Sequence, residues 1–326
     1  MKHSASSSTA SLPHGACAAC PTASLHSLRR HGETGGETRY VVALAGNPNT
    51  GKSTVFNRLT GLKQHTGNWP GKTVGKAEGF FDFRDESYRI VDLPGTYSLA
   101  STSEDEEIAR DFILFGQPDV TVMVADATRL ERNMNMVLQV LQITDRAVLC
   151  VNLIDEATRN HIEIDLRALS RRLGIPVVGA SARIGQGIGE LLEAVRAVAT
   201  GEYVCRPPRG FDLPADTAVE VDRLTEAVRQ AHPSLSNAEW IATRLLERDE
   251  GVRRAYATPE LTALADEIHL AIGHNFHDRW MEQIYAQAGE ICAAVVRRQG
   301  GEGLLPLDVK LDRILKIGRA SCRERV

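Results

Sequence analysis

No run in this 326-residue chain approaches the ~18–20 consecutive apolar residues of a membrane-crossing helix. The N-terminus lacks the apolar stretch of a secretory leader. Cysteine is sparse: six residues, mostly scattered, do not make a disulfide framework and suit a reducing compartment. There is no excess of positive charge either. A formal net charge of −4 gives no general electrostatic footprint for nucleic acid. What remains, at 43% hydrophobic and 25% charged residues, is the composition of an ordinary globular chain long enough for two domains. A soluble cytoplasmic protein is expected.

Residues 1–38 are rich in Ser, Ala, Thr, Gly and His with no apolar period, and read as a disordered extension. They carry Cys17-Ala18-Ala19-Cys20, with His14, His26 and His31 nearby. A lone C-x-x-C without a second pair is a weak metal signal, so incidental thiols are the preferred reading.

Residues 39–200 alternate strand-like and helical segments. The predicted strands are Tyr40–Leu44, Gly79–Phe83, Tyr88–Leu93, Val120–Asp126, Ala147–Asn152 and Val177–Ala180. The predicted helices are Ser53–Thr60, Glu104–Phe112, Arg132–Thr144, Asp165–Leu173 and Gly187–Thr200. Runs such as Val120-Thr121-Val122-Met123-Val124 are apolar on both faces, as in central strands of a parallel sheet. Gly79–Phe83 and Tyr88–Leu93 form a hairpin with one antiparallel edge strand. The fold class is α/β: a P-loop domain with a mostly parallel sheet. Residues 201–210, with Arg206-Pro207-Pro208-Arg209-Gly210, make a linker. Beyond it strand signals disappear, and residues 211–298 read as a small all-α domain. Its helices are Thr217–Ala231, Asn237–Glu247 with Ser236 as cap, Pro259–Ile272 with Thr258 as cap, and Arg279–Arg297. Residues 299–316 resemble an amphipathic lead-in to a further domain. Residues 317–326 match the translation of a sequencing-adapter read-through and are set aside as an artefact.

Gly46-Asn47-Pro48-Asn49-Thr50-Gly51-Lys52-Ser53, followed by Thr54, lies between the first strand and first helix. In that setting G-x-x-x-x-G-K-S is a phosphate cradle. Backbone N–H groups and the helix N-terminus meet the anion. Lys52 reaches the β- and γ-phosphates, and the Ser53 hydroxyl ligates Mg²⁺. At the end of the strand Tyr88–Leu93, Asp92-Leu93-Pro94-Gly95 supplies a carboxylate for Mg²⁺ and a Gly95 N–H for the γ-phosphate. Asn152-Leu153-Ile154-Asp155 follows another strand. Its Asp155 carboxylate can accept the N1–H and 2-amino donors of guanine, which adenine lacks, and sites that pair such groups discriminate by roughly 10⁴–10⁵-fold. Asn152 would tie this segment to the P-loop and contact the base. In Ala180-Ser181-Ala182, the Ala182 N–H would meet the guanine 6-oxo group. The nucleotide is therefore GTP or GDP.

The loop His65-Thr66-Gly67-Asn68-Trp69-Pro70-Gly71-Lys72-Thr73-Val74-Gly75 has the position of a switch. Thr73 is the candidate Mg²⁺ ligand and γ-phosphate sensor, with Thr66 its competitor, and Gly71 and Lys72 beside it. Trp69 is expected to be partly exposed. No glutamine follows Gly95; Thr96 and Tyr97 stand there, so the water-orienting residue of a Ras-type enzyme is missing. Asn49 is either a ligand for a monovalent cation beside the phosphates or merely shapes the loop, at near-even odds.

The segments Gly46–Thr54, Gly67-Asn68-Trp69-Pro70-Gly71-Lys72-Thr73-Val74, Asp92-Leu93-Pro94-Gly95-Thr96-Tyr97-Ser98-Leu99 and Asn152–Asp155 together resemble the ferrous iron transport protein B family. The resemblance is firm over residues 40–200 and weaker through the helical domain, at Arg244–Asp249 and Arg279–Ile284. It implies the cytoplasmic N-terminal part of a bacterial inner-membrane Fe²⁺ transporter. It also implies a helical domain restraining nucleotide release and K⁺-stimulated GTP hydrolysis with Asn49 as K⁺ ligand. Lys72 and Gly75 depart from the family's usual Val and Glu, and the expected membrane domain beyond Leu315 is missing, leaving no path for iron. Self-association is left open. A competing class, a soluble ribosome- or RNA-associated GTPase, would need an RNA-binding appendage, yet residues 201–316 carry neither a basic stripe nor a Gly-x-x-Gly loop. A nucleotide-switched binding module with negligible hydrolysis is the third reading. His269, His274 and His277 are expected to be surface histidines, and Cys292 core.

Overall fold

The computed structural model describes residues 38–61, 64–70, 72–100, 103–207, 215–235, 237–273 and 276–298. The extension with Cys17 and Cys20, Gly71, Ser236, His274, and the segments 299–316 and 317–326 lie outside the described residues.

The sheet is built from β1 (Tyr40–Gly46), β2 (Gln64–Asn68), β3 (Gly75–Phe83), β4 (Glu86–Asp92), β5 (Val120–Asp126), β6 (Ala147–Asn152) and β8 (Val177–Gly179). Its order is β2-β3-β4-β1-β5-β6-β8. β1 pairs in parallel with both β4 and β5, and Val42, Ala43, Leu44 and Ala45 have no exposed surface. A strand apolar at every position belongs there, covered on both faces. The helices α1 (Lys52–Thr60), α2 (Glu104–Phe115), α3 (Leu130–Ile143), α4 (Ile154–Arg159), α5 (Leu166–Leu173) and α6 (Ile188–Ala199) flank the sheet. After β1 the chain runs out to the edge at β2, returns inward through β3 and β4 to lie beside β1, then crosses to β5 on the other side. The crevice this opens at the carboxyl ends of the strands is the usual ligand position of such sheets.

Two strands escape the sequence pattern here. β2 is polar and its residues 65–68 are exposed, yet it pairs antiparallel with β3, which starts at Gly75 rather than Gly79. The one strand of opposite direction, β3, is therefore covered by β2 and is not the edge. Trp69 corrects the expectation of partial exposure. It is 3% exposed, edge-on to Phe112 at 5.5 Å, with the Lys76 ammonium 5.3 Å from its ring centroid. The apolar face of α2 gives the indole a wall to bury against, which the Gly- and Pro-rich neighbours do not suggest.

The second domain comprises α7 (Ala215–Ala231), α8 (Ala238–Leu246), α9 (Glu250–Tyr256), α10 (Pro259–Ile272) and α11 (Phe276–Val295). Thr258 caps α10, accepting from Leu261 N at 3.2 Å, with Pro259 in the first turn as its sequence predicts. The final helix stops at Val295 instead of Arg297. The chain then forms β9 (Val296–Arg298), antiparallel to β7 (Ile162–Ile164) of the first domain. Strand structure thus returns beyond the linker because the edge of β7 supplies a partner. Two further ties cross the boundary. Asn237 Nδ2 donates to Ile143 O at 3.1 Å, and the buried Arg110 guanidinium of α2 bridges Asp111 and Asp249. Asp249 also caps α9 through Val252 N at 3.0 Å. Among the described residues no helix is long and apolar enough to cross a membrane, and no three His, Cys, Asp or Glu side chains gather as a metal site.

His269 Nδ1 lies 3.0 Å from Leu246 O, and His277 Nδ1 lies 2.9 Å from Glu247 Oε1, which Arg244 also engages from the buried side at 2.6 Å through Glu247 Oε2. The hydrogen bond to Glu247 raises the His277 imidazole above its ordinary 6.5, against the opposing effect of burial. A raised folded value means the pair's stabilisation is full below about pH 6.5 and is lost as pH rises through the higher folded value. His277→Gln should therefore flatten the pH dependence of Tm across this window, read by thermal melts from pH 6 to 8.5; parallel wild-type and variant profiles would remove the pair from the account.

Candidate functional site

Every motif segment sits at the carboxyl end of a strand. Gly46 ends β1, Asp92 ends β4, Asn152 ends β6, and Ala180-Ser181-Ala182 follows β8. In register, Leu44 faces Asp92, Gly46 faces Val124, and Asp126 faces Asn152. The sheet thus delivers them to one rim.

The loop 46–53 turns tightly above β1. A Cβ on Gly46 would lie 2.7 Å from Val124 O, so the loop can approach β5 only through glycine. Asn49 is exposed, adopts φ 65°, and makes no side-chain hydrogen bond among the described residues. That backbone region is one Asn tolerates. Thr50 Oγ1 donates to Asn47 O at 3.0 Å, and the buried Asn47 Nδ2 has no partner among the described residues. Gly51, at φ 81°, precedes α1 as its N-cap without a side-chain cap, and the first turn carries no acidic residue. The helix therefore presents uncompensated N–H groups at this end, with the hydroxyls of the exposed Ser53 and Thr54 in its first turn.

Lys52 lies along the rim. Its Nζ donates to Asp92 Oδ1 and, at 2.6 Å, to Leu93 O. Burial pushes the Asp92 carboxyl above its ordinary range, while the Lys52 ammonium pulls it back. Leu93 contributes only its backbone, since its side chain is buried in the core. Pro94 leads to Gly95, whose Cα lies against Pro48 such that a Cβ there would be 3.5 Å from Pro48 atoms. The segments 92–95 and 46–53 are thus in contact. Thr96 is 4% exposed with its hydroxyl unpartnered among the described residues, and Tyr97 points outward under the Arg132 guanidinium at 4.7 Å. Neither side chain has the place or chemistry of a water-orienting amide.

Asn152 joins the phosphate end of the crevice to the base end. It is 1% exposed; its Nδ2 donates to Thr50 O at 3.0 Å and its Oδ1 accepts from Ala182 N at 3.0 Å. The expected tie to the P-loop is therefore present. The second bond gives the Ala182 amide to Asn152 in this structure. Leu153, at φ 63°, turns the chain into α4, where Ile154 packs against the core and Asp155 opens the helix. Asp155 N donates to Ser181 Oγ at 3.1 Å, and its carboxylate pairs with Arg159 at 3.0 Å. The Ser181 hydroxyl, then Arg159, hold the Asp155 carboxyl below its ordinary range, so it is ionised at neutral pH as an acceptor for two N–H donors must be.

Lys72 and Thr73 are not brought to the rim. Thr73 Oγ1 donates to Glu104 at 3.4 Å, and Lys72 Nζ reaches Glu107 at 2.9 Å and Glu104 at 3.7 Å. Four carboxylates in the first turn of α2 attract them. The hydrogen bond to Glu107 raises Lys72 above its ordinary value. Thr66 sits exposed on β2. A residue that sequence reasoning passed over is Arg58, whose guanidinium spans two carbonyls of the loop after Ser181. Nothing in its local pattern on an amphipathic helix announces a partner more than 120 residues away.

Residues 40–195 match the family model for ferrous iron transport protein B, and residues 215–297 match that for the FeoB cytosolic helical domain. The Fe(2+) transporter FeoB of Salmonella typhimurium is 40% identical over 223 residues, which are 67% of this chain and 28% of that protein. The Escherichia coli Fe(2+) transporter FeoB is 39% identical over the same length. The chain spans less than a third of the length of these curated relatives. Among solved structures, the cytosolic domain of the T. maritima FeoB iron transporter in GMPPNP form superposes with a TM-score of 0.69 at 31% identity, covering 79% of this chain and 99% of that one. The cytosolic domain of L. pneumophila FeoB gives a TM-score of 0.70 at 28% identity, covering 79% and 100%.

Asn152→Ala removes partners from two buried backbone groups at once. It should lower stability by about 1–3 kcal/mol in urea melts and weaken nucleotide affinity in the same preparation; unchanged affinity would show that the two loops hold their places without it.

Proposed function

This chain belongs to the ferrous iron transport protein B family, and from that premise we propose that it binds and hydrolyses GTP as the regulatory module of an Fe²⁺ transporter at the cytoplasmic face of the inner membrane. The observation that carries the nucleotide part is the Asn152 bridge. One buried amide holds a glycine-lined phosphate loop beside a loop with an ionised Asp155. The T. maritima relative has been solved in GDP and GMPPNP forms, which agrees with that reading.

The residues divide the work by chemistry. Gly46–Ser53 and the N–H groups opening α1 receive the phosphates, and Lys52 exchanges its Asp92 and Leu93 partners for phosphate oxygens. The Gly95 N–H faces the terminal phosphate. Asp155 accepts both guanine donors, Asn152 and Ser181 fix it in place, and Ala182 reads the 6-oxo group when its amide is shared from Asn152. The donor set of Ser53 and Asp92, hydroxyl plus carboxylate, fits a hard divalent cation, with Thr73 joining when the 72–75 segment leaves α2. Mg²⁺ held by these residues would supply charge neutralisation to the phosphates. With Thr96 turned into the core, intrinsic hydrolysis is slow. The amide oxygen of the exposed Asn49 suits K⁺, which would stabilise developing negative charge where an arginine otherwise acts. Iron itself would be handled by membrane-embedded parts of a longer protein, to which GTP state is relayed.

Two measurements test this. Asp155→Asn should exchange guanine for xanthine preference in competition binding; a variant that keeps its GTP affinity refutes the base reading. Single-turnover hydrolysis should run faster in K⁺ than in Na⁺, with the difference abolished by Asn49→Ala; equal rates in both salts leave Asn49 as a loop-shaping residue alone.

A further inference from the structure

Arg58 stands in the last turn of α1, where Val55, Phe56 and Leu59 anchor the helix in the core while the Arg58 side chain lies at the surface. Its Nε–H donates to Ala182 O at 3.0 Å and its Nη2–H donates to Arg183 O at 2.6 Å. These are consecutive carbonyls of the loop 181–187, whose other groups meet Asp155 and Asn152.

That loop otherwise satisfies itself. Ser181 N donates to Gln186 O at 3.0 Å, and Ile184 N and Gly185 N donate to Ser181 O at 3.0 and 3.1 Å. Ile184 at its tip is 61% exposed, and Gly185 and Gly187 adopt φ 83° and 79°. Ser181 and Ala182 at its base are 1% exposed, whereas residues 183–186 are exposed beside the glycine pivots, so little burial holds that tip down. The Arg58 fork ties it directly to the helix that begins at the phosphate loop, and two donors from one rigid guanidinium fix direction as well as distance.

Building on the guanine-nucleotide reading above, we propose that Arg58 is a positioning residue that clamps the loop 181–187 against the base and so sets the rate at which nucleotide leaves. Opening the loop breaks two charge-assisted bonds; entry into an already open loop does not. The clamp therefore acts on dissociation and leaves association nearly unchanged. Because the side chain is at the surface, its loss leaves no cavity in the core.

The test is release of a fluorescent GDP analogue from the full chain, chased with excess unlabelled GDP in a stopped-flow instrument. Arg58→Ala should release about five- to twentyfold faster with an unchanged association rate and unchanged Tm. Arg58→Lys keeps the charge but cannot donate along two directions from one plane, and should also release faster. A release rate equal to wild type in both variants overturns the clamp while leaving guanine binding intact. Equal acceleration of release and slowing of association, with a lowered Tm, also overturns it, since that describes a misfolded loop. If the wild-type chain fails to retain the analogue at all, the nucleotide reading falls, and the clamp with it.

Discussion

The nucleotide rim depends on one side-chain amide. Asn152 sits at the end of β6 with both of its polar atoms committed, one to Thr50 O and one to Ala182 N. A buried amide leaves no cheap alternative: losing either partner strands a backbone group away from water. The bridge explains why Gly51 must be glycine, beyond its φ of 81°. A Cβ there would lie 2.3 Å from Asn152 Nδ2, and the first atom of any side chain would push the bridge apart. Phosphate loop, base loop and the strand between them are therefore one mechanical unit, and Thr50 and Ala182 act together across the sequence because they share this contact.

The two domains are joined by a different kind of contact. The β7–β9 pairing and the Asn237–Ile143 hydrogen bond satisfy backbone groups, whereas Arg110 places a charge at 1% exposure between Asp111 and Asp249. Buried ion pairs add little net stability compared with apolar packing, but removing one partner is strongly destabilising. Such a pair tolerates only arrangements in which both partners meet. It therefore fixes how α2 addresses the helical domain more than it strengthens the contact. Since α2 also carries the carboxylates that hold Lys72 and Thr73, one helix touches the switch segment at its first turn and the second domain through Arg110 in its middle.

Legibility in the sequence followed how far each element depends on its own residues. Val120–Asp126 and Ala147–Asn152 were readable to the residue because strands buried on both faces are apolar throughout. Pro259–Ile272 was readable because Thr258 and Pro259 mark its start and Gly273 its end. β2 and β9 were not, since Gln64–Asn68 and Val296–Arg298 become strands only by meeting β3 and β7. The motif residues Lys52, Asp92, Asn152 and Asp155 were found from spacing, and the structure gathers them at one rim. The environment of Trp69 was misjudged, because local Gly and Pro say nothing about the α2 face that covers it. Arg58 was missed for the same reason in reverse: an exposed arginine on an amphipathic helix looks solvated until its distant loop is placed beside it.

The position of Lys72 and Thr73 follows from the weakness of what holds them. The Lys72–Glu107 contact joins side chains 34% and 42% exposed, and such surface pairs contribute about 0–1 kcal/mol. Thr73 adds a long 3.4 Å bond to a carboxylate that is itself largely solvated. By contrast, Trp69 a few residues earlier is buried and anchored by Phe112. Backbone bonds from Trp69 N to Val74 O and from Lys72 N to Trp69 O, both 3.0 Å, close the turn, and it is the side-chain contacts to α2 that are weak. The switch role proposed for this segment needs side-chain contacts to α2 weak enough for a triphosphate and its cation to outbid. Strong resting contacts would trap the segment on α2; none at all would leave it without a defined starting position. The acidic first turn of α2, reached through Lys72 and Thr73, supplies contacts of the intermediate strength that reversible docking requires.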